Sequence, residues 1–287
     1  MIELICNPIA GNGSAKAAVE RAVQKLNELG IAYQLHYTER SRHATEIAEQ
    51  AALRGAEKVI SFGGDGTVTE VANGLKNTNT ALAIVPCGTG NDFAKAVNIP
   101  KDLDRSLDIA LNTPARPVDF GMINDELFMN ICGTGFDVMV LDYADQVKKY
   151  VKGIWPYLYG VIRTIFKFKP STTKVEVDGQ LFEKAMLICC VGNGQFFGGG
   201  IPIIPYSNAA DSMLEVLMVD AISRWKMPFY LLPLLKGTLY QKKVSHPMQA
   251  KHVVIEKKGM RVNIDGEIRM MNKADITIFS DQLLLCW

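Results

Sequence analysis

Apolar positions in the first part of the chain follow two alternating rhythms. Ile2–Cys6 is a largely apolar run that ends in a turn-rich stretch at residues 7–14, after which Ala18, Val19, Ala22, Val23, Leu26 and Leu29 recur at helical spacing up to Gly30. Tyr33–Tyr37 alternates as a second strand, and Ala44, Ile47, Ala48 and Ala51 mark a second helix with Ser41 as its expected cap. Residues 59–62 and 81–85 are further apolar runs, each stopping at glycine or proline before another helical pattern. Strands alternating with helices predict a mostly parallel α/β sheet, whose ligands bind beyond the carboxyl ends of the strands.

From about Val118 the pattern becomes β-rich. Residues 118–123, 127–132, 174–177, 186–191, 214–219, 252–256, 261–264 and 275–279 read as strands, punctuated by Asp178-Gly179, Asn193-Gly194 and Asp265-Gly266 as turns. Helical segments rich in aromatic and apolar residues interrupt them at 137–168 and 225–235. The expectation is an α/β N-terminal domain with a parallel sheet over residues 1–116 and a β-rich, mostly antiparallel C-terminal domain over 117–287. The last residues are free to return to the first domain.

Composition narrows the class. A chain of 287 residues suits two domains, and 48% hydrophobic residues supply ordinary globular cores. The 31 basic and 30 acidic residues nearly cancel, leaving no global field to recruit nucleic acid. The six cysteines have no Cys-x-x-Cys spacing and read as small buried hydrophobes in a reducing cytoplasm. The N-terminus carries no basic leader, and no apolar run is long enough to span a bilayer, so membrane contact is expected to be peripheral.

Three strand-to-helix turns carry the candidate chemistry. The first is Gly63-Gly64-Asp65-Gly66-Thr67, where glycines admit a close ligand and the following helix start favours phosphate. A carboxylate there is repelled by phosphates unless it holds magnesium or accepts bonds from a nucleotide; alternatively Thr67 and Glu70 form a capping box. The second is Pro86-Cys87-Gly88-Thr89-Gly90-Asn91-Asp92-Phe93, in which Thr89 serves a phosphate oxygen or caps the next helix. The third is Asn7-Pro8-Ile9-Ala10-Gly11-Asn12-Gly13-Ser14. If their strands are neighbours, all three line one sheet edge.

Together these motifs resemble the catalytic domain of the diacylglycerol kinase and sphingosine kinase superfamily. Chain length and the late Asp265-Gly266-Glu267 are most similar to its soluble bacterial members. The resemblance implies an ATP-dependent kinase acting on the hydroxyl of a membrane lipid, with diacylglycerol leading and phosphatidic acid as product. It implies that Asn7, Pro8, Ile9, Ala10, Gly11, Thr38, Gly63, Gly64, Asp65, Gly66, Thr67, Val68, Thr69, Glu70 and Thr89 contact ATP. It also implies that Asp265-Gly266-Glu267 faces the γ-phosphate, with Asp265 or Glu267 as the base and Asp65 serving catalysis through the Mg-nucleotide. A second magnesium loop would use Asn208, Asp211 and Met213; where relatives tend to show Asp-Gly-x-Leu-Asp, this chain has Asp211-Ser212-Met213-Leu214-Glu215. The Gly-Gly-Asp-Gly element is shared with NAD kinases, whereas Gly88-Thr89-x-Asn91-Asp92-Phe93 discriminates. An NAD kinase-like enzyme and a nucleotide-binding regulatory protein with little turnover are the alternatives.

Lys148, Lys149, Lys152, Arg163, Lys167 and Lys169 interleave with Tyr150, Trp155, Tyr157, Tyr159, Phe166 and Phe168. The expected arrangement buries the apolar face in the protein's own core; seating at headgroup level on the inner membrane surface is the alternative. His36, His43, His246 and His252 lack ligand spacing. The oligomeric state is left open, a homodimer included.

Overall fold

The computed structural model describes residues 1–148 and 155–287; Lys149, Tyr150 and Lys152 of the basic, aromatic stretch lie outside them. The chain divides into two compact units, one of Met1–Phe120, Ala209–Asp211 and Phe279–Trp287, the other of Gly121–Asn208 and Ser212–Ile278.

In the first unit the predicted rhythm becomes β1 (Ile2–Cys6), α1 (Ser14–Glu28), β2 (Tyr33–Tyr37), α2 (His43–Leu53), β3 (Lys58–Gly63), α3 (Asp65–Leu75), β4 (Ala81–Pro86), α4 (Asp92–Ala96), α5 (Leu103–Asn112) and β5 (Ala115–Pro117). The sheet order is β2-β1-β3-β4, then the chain's last strand, Leu284–Cys286, then β5. β1 to β4 and the last strand run parallel, while β5 is antiparallel. β3 and β4 are buried throughout, as interior parallel strands covered on both faces must be. One face packs Ala15, Val19, Ala22 and Leu26 of α1 and Leu107 of α5, each large side chain contributing roughly 1.5–3 kcal/mol by leaving water. On α3, a Cβ at Gly74 would meet Thr45 O at 2.5 Å, so glycine sets how closely α2 and α3 approach. Leu29, expected on the buried stripe of α1, is exposed because the helix has already ended.

The second unit comprises β6 (Phe120–Ile123), β7 (Glu126–Phe128), β8 (Ile131–Gly135), α6 (Phe136–Lys148), α7 (Trp155–Lys167), β9 (Ser171–Val177), β10 (Gln180–Gly192), β11 (Phe196–Phe197), β12 (Ile201–Pro202), β13 (Leu214–Asp220), α8 (Met227–Leu235), β14 (Ser245–Ala250), β15 (His252–Ile264) and β16 (Glu267–Phe279). A nine-stranded sheet has the order β14-β13-β10-β8-β15-β16-β6-β7, with β9 on β10 and β15. Successive side chains of β10 face opposite layers: Cys189 joins a core with Val175, Val253 and Ile276, and Ile188 and Cys190 join another with Phe136 and Met227. Asp178-Gly179 and Asp265-Gly266 close two-residue hairpins with all four residues at positive φ.

Two strand expectations change, and one strand is added. Residues 127–132 split into β7 and β8, because the N–H groups of residues 129–131 bond the Asp265 carboxylate instead of a strand. Residues 252–256 and 261–264 are one strand, β15, with a register shift between Glu256 and Met260. β14 was concealed by Pro247, which its edge position tolerates.

Candidate active site

The three glycine turns follow β1, β3 and β4, which are adjacent and parallel, so all three lie at one sheet edge. They are also tied together. The Gly63 carbonyl accepts from the N–H groups of Cys87 (2.8 Å) and Gly88 (3.1 Å), and Asn7 N–H donates to Phe62 O at 3.0 Å. Ser14 Oγ donates to Cys87 O at 3.1 Å, and Asn7 Nδ2 to Thr67 Oγ1 at 3.3 Å. Two glycine requirements are steric. A Cβ on Gly11 would lie 1.9 Å from Cys87 O, and one on Gly88 would lie 2.4 Å from the Gly64 Cα. The amino ends of α1 and α3 open onto these turns, and helix-start N–H groups are donors of the kind that favours phosphate.

Asp65 bridges two of the turns. Its Oδ1 accepts the Phe93 N–H at 3.0 Å. Burial pushes its carboxyl above the ordinary range, against the bonds from the Phe93, Asp92 and Asn91 N–H groups. Asn91 closes its own turn, accepting from Gly88 N–H and donating to Gly88 O, both at 2.8 Å. Thr89 is then exposed at the loop tip, and the residue at the cap of α4 is Asn91, not Thr89.

The capping box does not form: α3 is capped at Gly64 with no side-chain bond. Glu70 instead accepts from the N–H groups of Arg42 (2.9 Å) and Ala44 (3.1 Å), satisfying the start of α2 where Ser41 was expected to act. Val68 is buried, and its N–H donates to Gly64 O at 3.1 Å. Thr38 N–H donates to Cys6 O at 2.9 Å, which sets Thr38 beside the first turn, where Ile9 is exposed. Burial raises the Cys6 thiol to about 11 and Cys87 to about 12, so neither is a thiolate nucleophile at neutral pH.

In the second unit, Asp265 and Glu267 part ways. Asp265 Oδ2 accepts from Met129 N–H at 2.7 Å, and Oδ1 from the N–H groups of Asn130 (2.9 Å) and Ile131 (3.0 Å). Glu267 starts β16 with its side chain 66% exposed, and Arg269 Nη2 donates to it at 2.6 Å. Sequence reasoning missed the group beneath this turn. Asn263 Oδ1 accepts the Gly266 N–H at 2.9 Å, and the Asn263 side chain bonds the buried Asp137 carboxyl. Burial raises Asp137 to about 6, and its Oδ1 has no hydrogen-bond partner. An isolated acid at a helix start carries no signal until the fold buries it.

Asn208 and Asp211 are exposed in the loop before β13, Met213 is half-buried, and Ser212 has φ +61°. Serine thus adopts the left-handed conformation that glycine favours. The loop offers oxygen donors of the kind a hard cation takes. Among the described residues, no three His, Cys, Asp or Glu side chains cluster as metal ligands. Three histidines each hold one carboxylate: His36 with Glu3, His246 with Asp220 and His252 with Asp275.

With this geometry in place, likeness to known proteins is decisive. The diacylglycerol kinase catalytic domain model matches residues 2–123, and the YegS C-terminal NAD kinase beta sandwich-like domain model matches residues 130–285. The chain is 30% identical to the diacylglycerol kinase of Bacillus subtilis (strain 168) over 269 residues, covering 92% of this chain and 88% of that one. The chain belongs to the diacylglycerol kinase and YegS-like lipid kinase family. It is a kinase. A probable lipid kinase YegS-like protein of Chromohalobacter salexigens is 28% identical, covering 90% of this kinase and 84% of that relative. A crystal structure of a diacylglycerol kinase from Bacillus anthracis str. Sterne shares the fold, with TM-score 0.77 and 24% identity, covering 100% of this chain and 96% of that one.

Proposed function

We propose that this lipid kinase transfers the γ-phosphoryl group of ATP to the hydroxyl of diacylglycerol, giving phosphatidic acid. The observation that carries this reading is the joining of the three turns after β1, β3 and β4 at one sheet edge. The diacylglycerol kinase name of its relatives supports the acceptor. ATP is taken up by residues 7–11, Thr38, the turn from Gly63 to Thr67, and Thr89, through backbone N–H groups and hydroxyls.

The acceptor oxygen forms a bond to the γ-phosphorus as the bond to the ADP oxygen breaks, and its proton goes to Glu267. Glu267 suits this role because it is exposed, whereas Asp265 is engaged by three backbone N–H groups. Magnesium, when bound with the nucleotide, offsets phosphate charge. Asp65 fits it, since a carboxylate has about four lone-pair sites and the N–H groups of Phe93, Asp92 and Asn91 use at most three of them. The oxygens of Asn208, Asp211 and Met213 fit a second, structural magnesium. The site of action is the membrane surface, where the acceptor hydroxyl lies.

Labelled ATP offered with mixed micelles carrying diacylglycerol, phosphatidylglycerol, undecaprenol or a sphingoid base tests the assignment. Label is expected in phosphatidic acid, and dilution of diacylglycerol within the micelle surface is expected to slow transfer at constant bulk concentration. Efficient phosphorylation of NAD in detergent-free solution, with no transfer to any lipid, sinks it. Asp65→Ala is expected to fold and to lose turnover.

A further inference from the structure

α8 has the sequence Met-Pro-Phe-Tyr-Leu-Leu-Pro-Leu-Leu, with no charged side chain and the Tyr230 hydroxyl as its one polar side-chain group. A helix apolar all round belongs in a core or in a membrane. Here one side only is covered. Met227, Tyr230, Leu231 and Leu234 face an apolar cavity of about 40 Å³ against β10 and β13. Phe229 is 78% exposed and Leu232 58%, and Trp225, just ahead of the helix, is 78% exposed. α7 lines the same cavity through Val161 and Ile165 while leaving Trp155, Ile162 and Phe166 exposed. Neighbouring helices that expose this many large apolar side chains mark an interaction surface.

Along the two helical segments the charges have one sign. Arg224, Lys226, Lys236, Lys242 and Lys243 are exposed, and no Asp or Glu occurs at residues 221–255. On α7 and just after it, Arg163, Lys167 and Lys169 are exposed, with no acid at residues 155–175. α8 has nine residues, a length of about 14 Å, which is half of a bilayer core of about 30 Å. It can lie in an interface but not cross it.

We infer that the exposed face of α7 and α8 is a membrane-docking surface, with Phe229, Leu232 and Trp225 entering the headgroup and upper acyl region of an anionic leaflet. Apolar side chains bury themselves there, and the surrounding cations meet a surface of opposite charge. A second copy of the chain fits less well, because a twofold contact would set like-charged rims against each other. The inference rests on the lipid-kinase reading for its setting, yet its test needs no turnover.

The full chain is floated with vesicles of phosphatidylcholine alone and with vesicles of equal parts phosphatidylcholine and phosphatidylglycerol, at low and high salt. The wild type is expected to bind the anionic vesicles, more weakly at high salt, with Trp fluorescence quenched by brominated acyl chains. The double variant Phe229→Ser/Leu232→Ser is expected to bind about 10- to 100-fold more weakly. Its melting temperature, and its rate on a short-chain diacylglycerol below its aggregation concentration, should be unchanged. A wild type that stays in solution, or a variant that binds as well as the wild type, overturns the inference. So does a variant that dissociates a dimer while still binding vesicles. If the vesicle result holds but no lipid is phosphorylated, the substrate reading fails and the docking surface stands.

Discussion

Asp65 and Asp265 each sit in a glycine turn that follows a strand, but they are held by different partners. Asp65 receives Phe93 N–H at the start of a five-residue helix, joining two glycine turns. Asp265 receives three consecutive N–H groups, from Met129, Asn130 and Ile131, and by doing so breaks what would otherwise be one strand into β7 and β8. A motif aspartate is therefore a backbone anchor in both turns. In both places the acid beside the glycine holds the loop, and the side chains left exposed are neighbours, Thr89 in the turn that Asp65 bonds and Glu267 after Asp265.

The largest expected effect separates these roles in the second turn. Glu267→Gln should lower the phosphoryl-transfer rate by about 10²–10⁴-fold with ATP affinity and melting temperature near wild type, as expected for loss of a general base. Asp265→Ala should act the other way, destabilising the second unit by roughly 3–5 kcal/mol because buried N–H groups lose their acceptor. A denaturant titration beside single-turnover kinetics reads both. If Asp265→Ala melts normally and loses only rate, the anchor reading is wrong.

Next comes the buried carboxyl beneath that turn. Asp137 has its pKa raised from 3.8 to about 6, so the folded state binds its proton more tightly than the unfolded state. Its contribution is fully present below about pH 4 and is lost as pH rises through about 6, by about 3 kcal/mol. Asp137→Asn should therefore be more stable than wild type at neutral pH, with the difference vanishing near pH 4. Equal stability differences at both pH values would show that folding does not raise the Asp137 pKa.

The weaker anchor should have the smaller effect. Asp65→Ala is expected to destabilise the first unit by about 1–2 kcal/mol, the scale of a lost helix cap, well short of Asp265→Ala. A loss in calorimetry as large as that of Asp265→Ala would erase the contrast. Smallest is Ser212→Gly, which relieves a left-handed serine and should stabilise by about 1 kcal/mol. An unchanged midpoint would mean that the serine is held there without strain.

What could be read from the linear chain was what is local. The parallel α/β unit, the antiparallel β-rich unit, the two-residue hairpins at Asp178-Gly179 and Asp265-Gly266, and the three glycine turns all follow from side-chain periodicity and from residues that tolerate positive φ. The strand order, which makes β1, β3 and β4 neighbours, does not follow from periodicity. Neither does the placement of the last strand between β4 and β5. Those depend on contacts between residues far apart in sequence.

The same divide runs through the side chains. Spacing offered Thr67 and Glu70 as a capping pair, but the partner of Glu70 is the start of α2, 26 to 28 residues earlier. Asp137 looked like any acid at a helix start, and only burial gave it an unpartnered oxygen and a raised pKa. Likewise α7 and α8 were legible as apolar and aromatic, but which of their faces met the core and which met solvent was decided by the sheet beneath them. A sequence specifies which groups a segment carries, whereas burial, partner and exposure are set by what the tertiary fold brings against it.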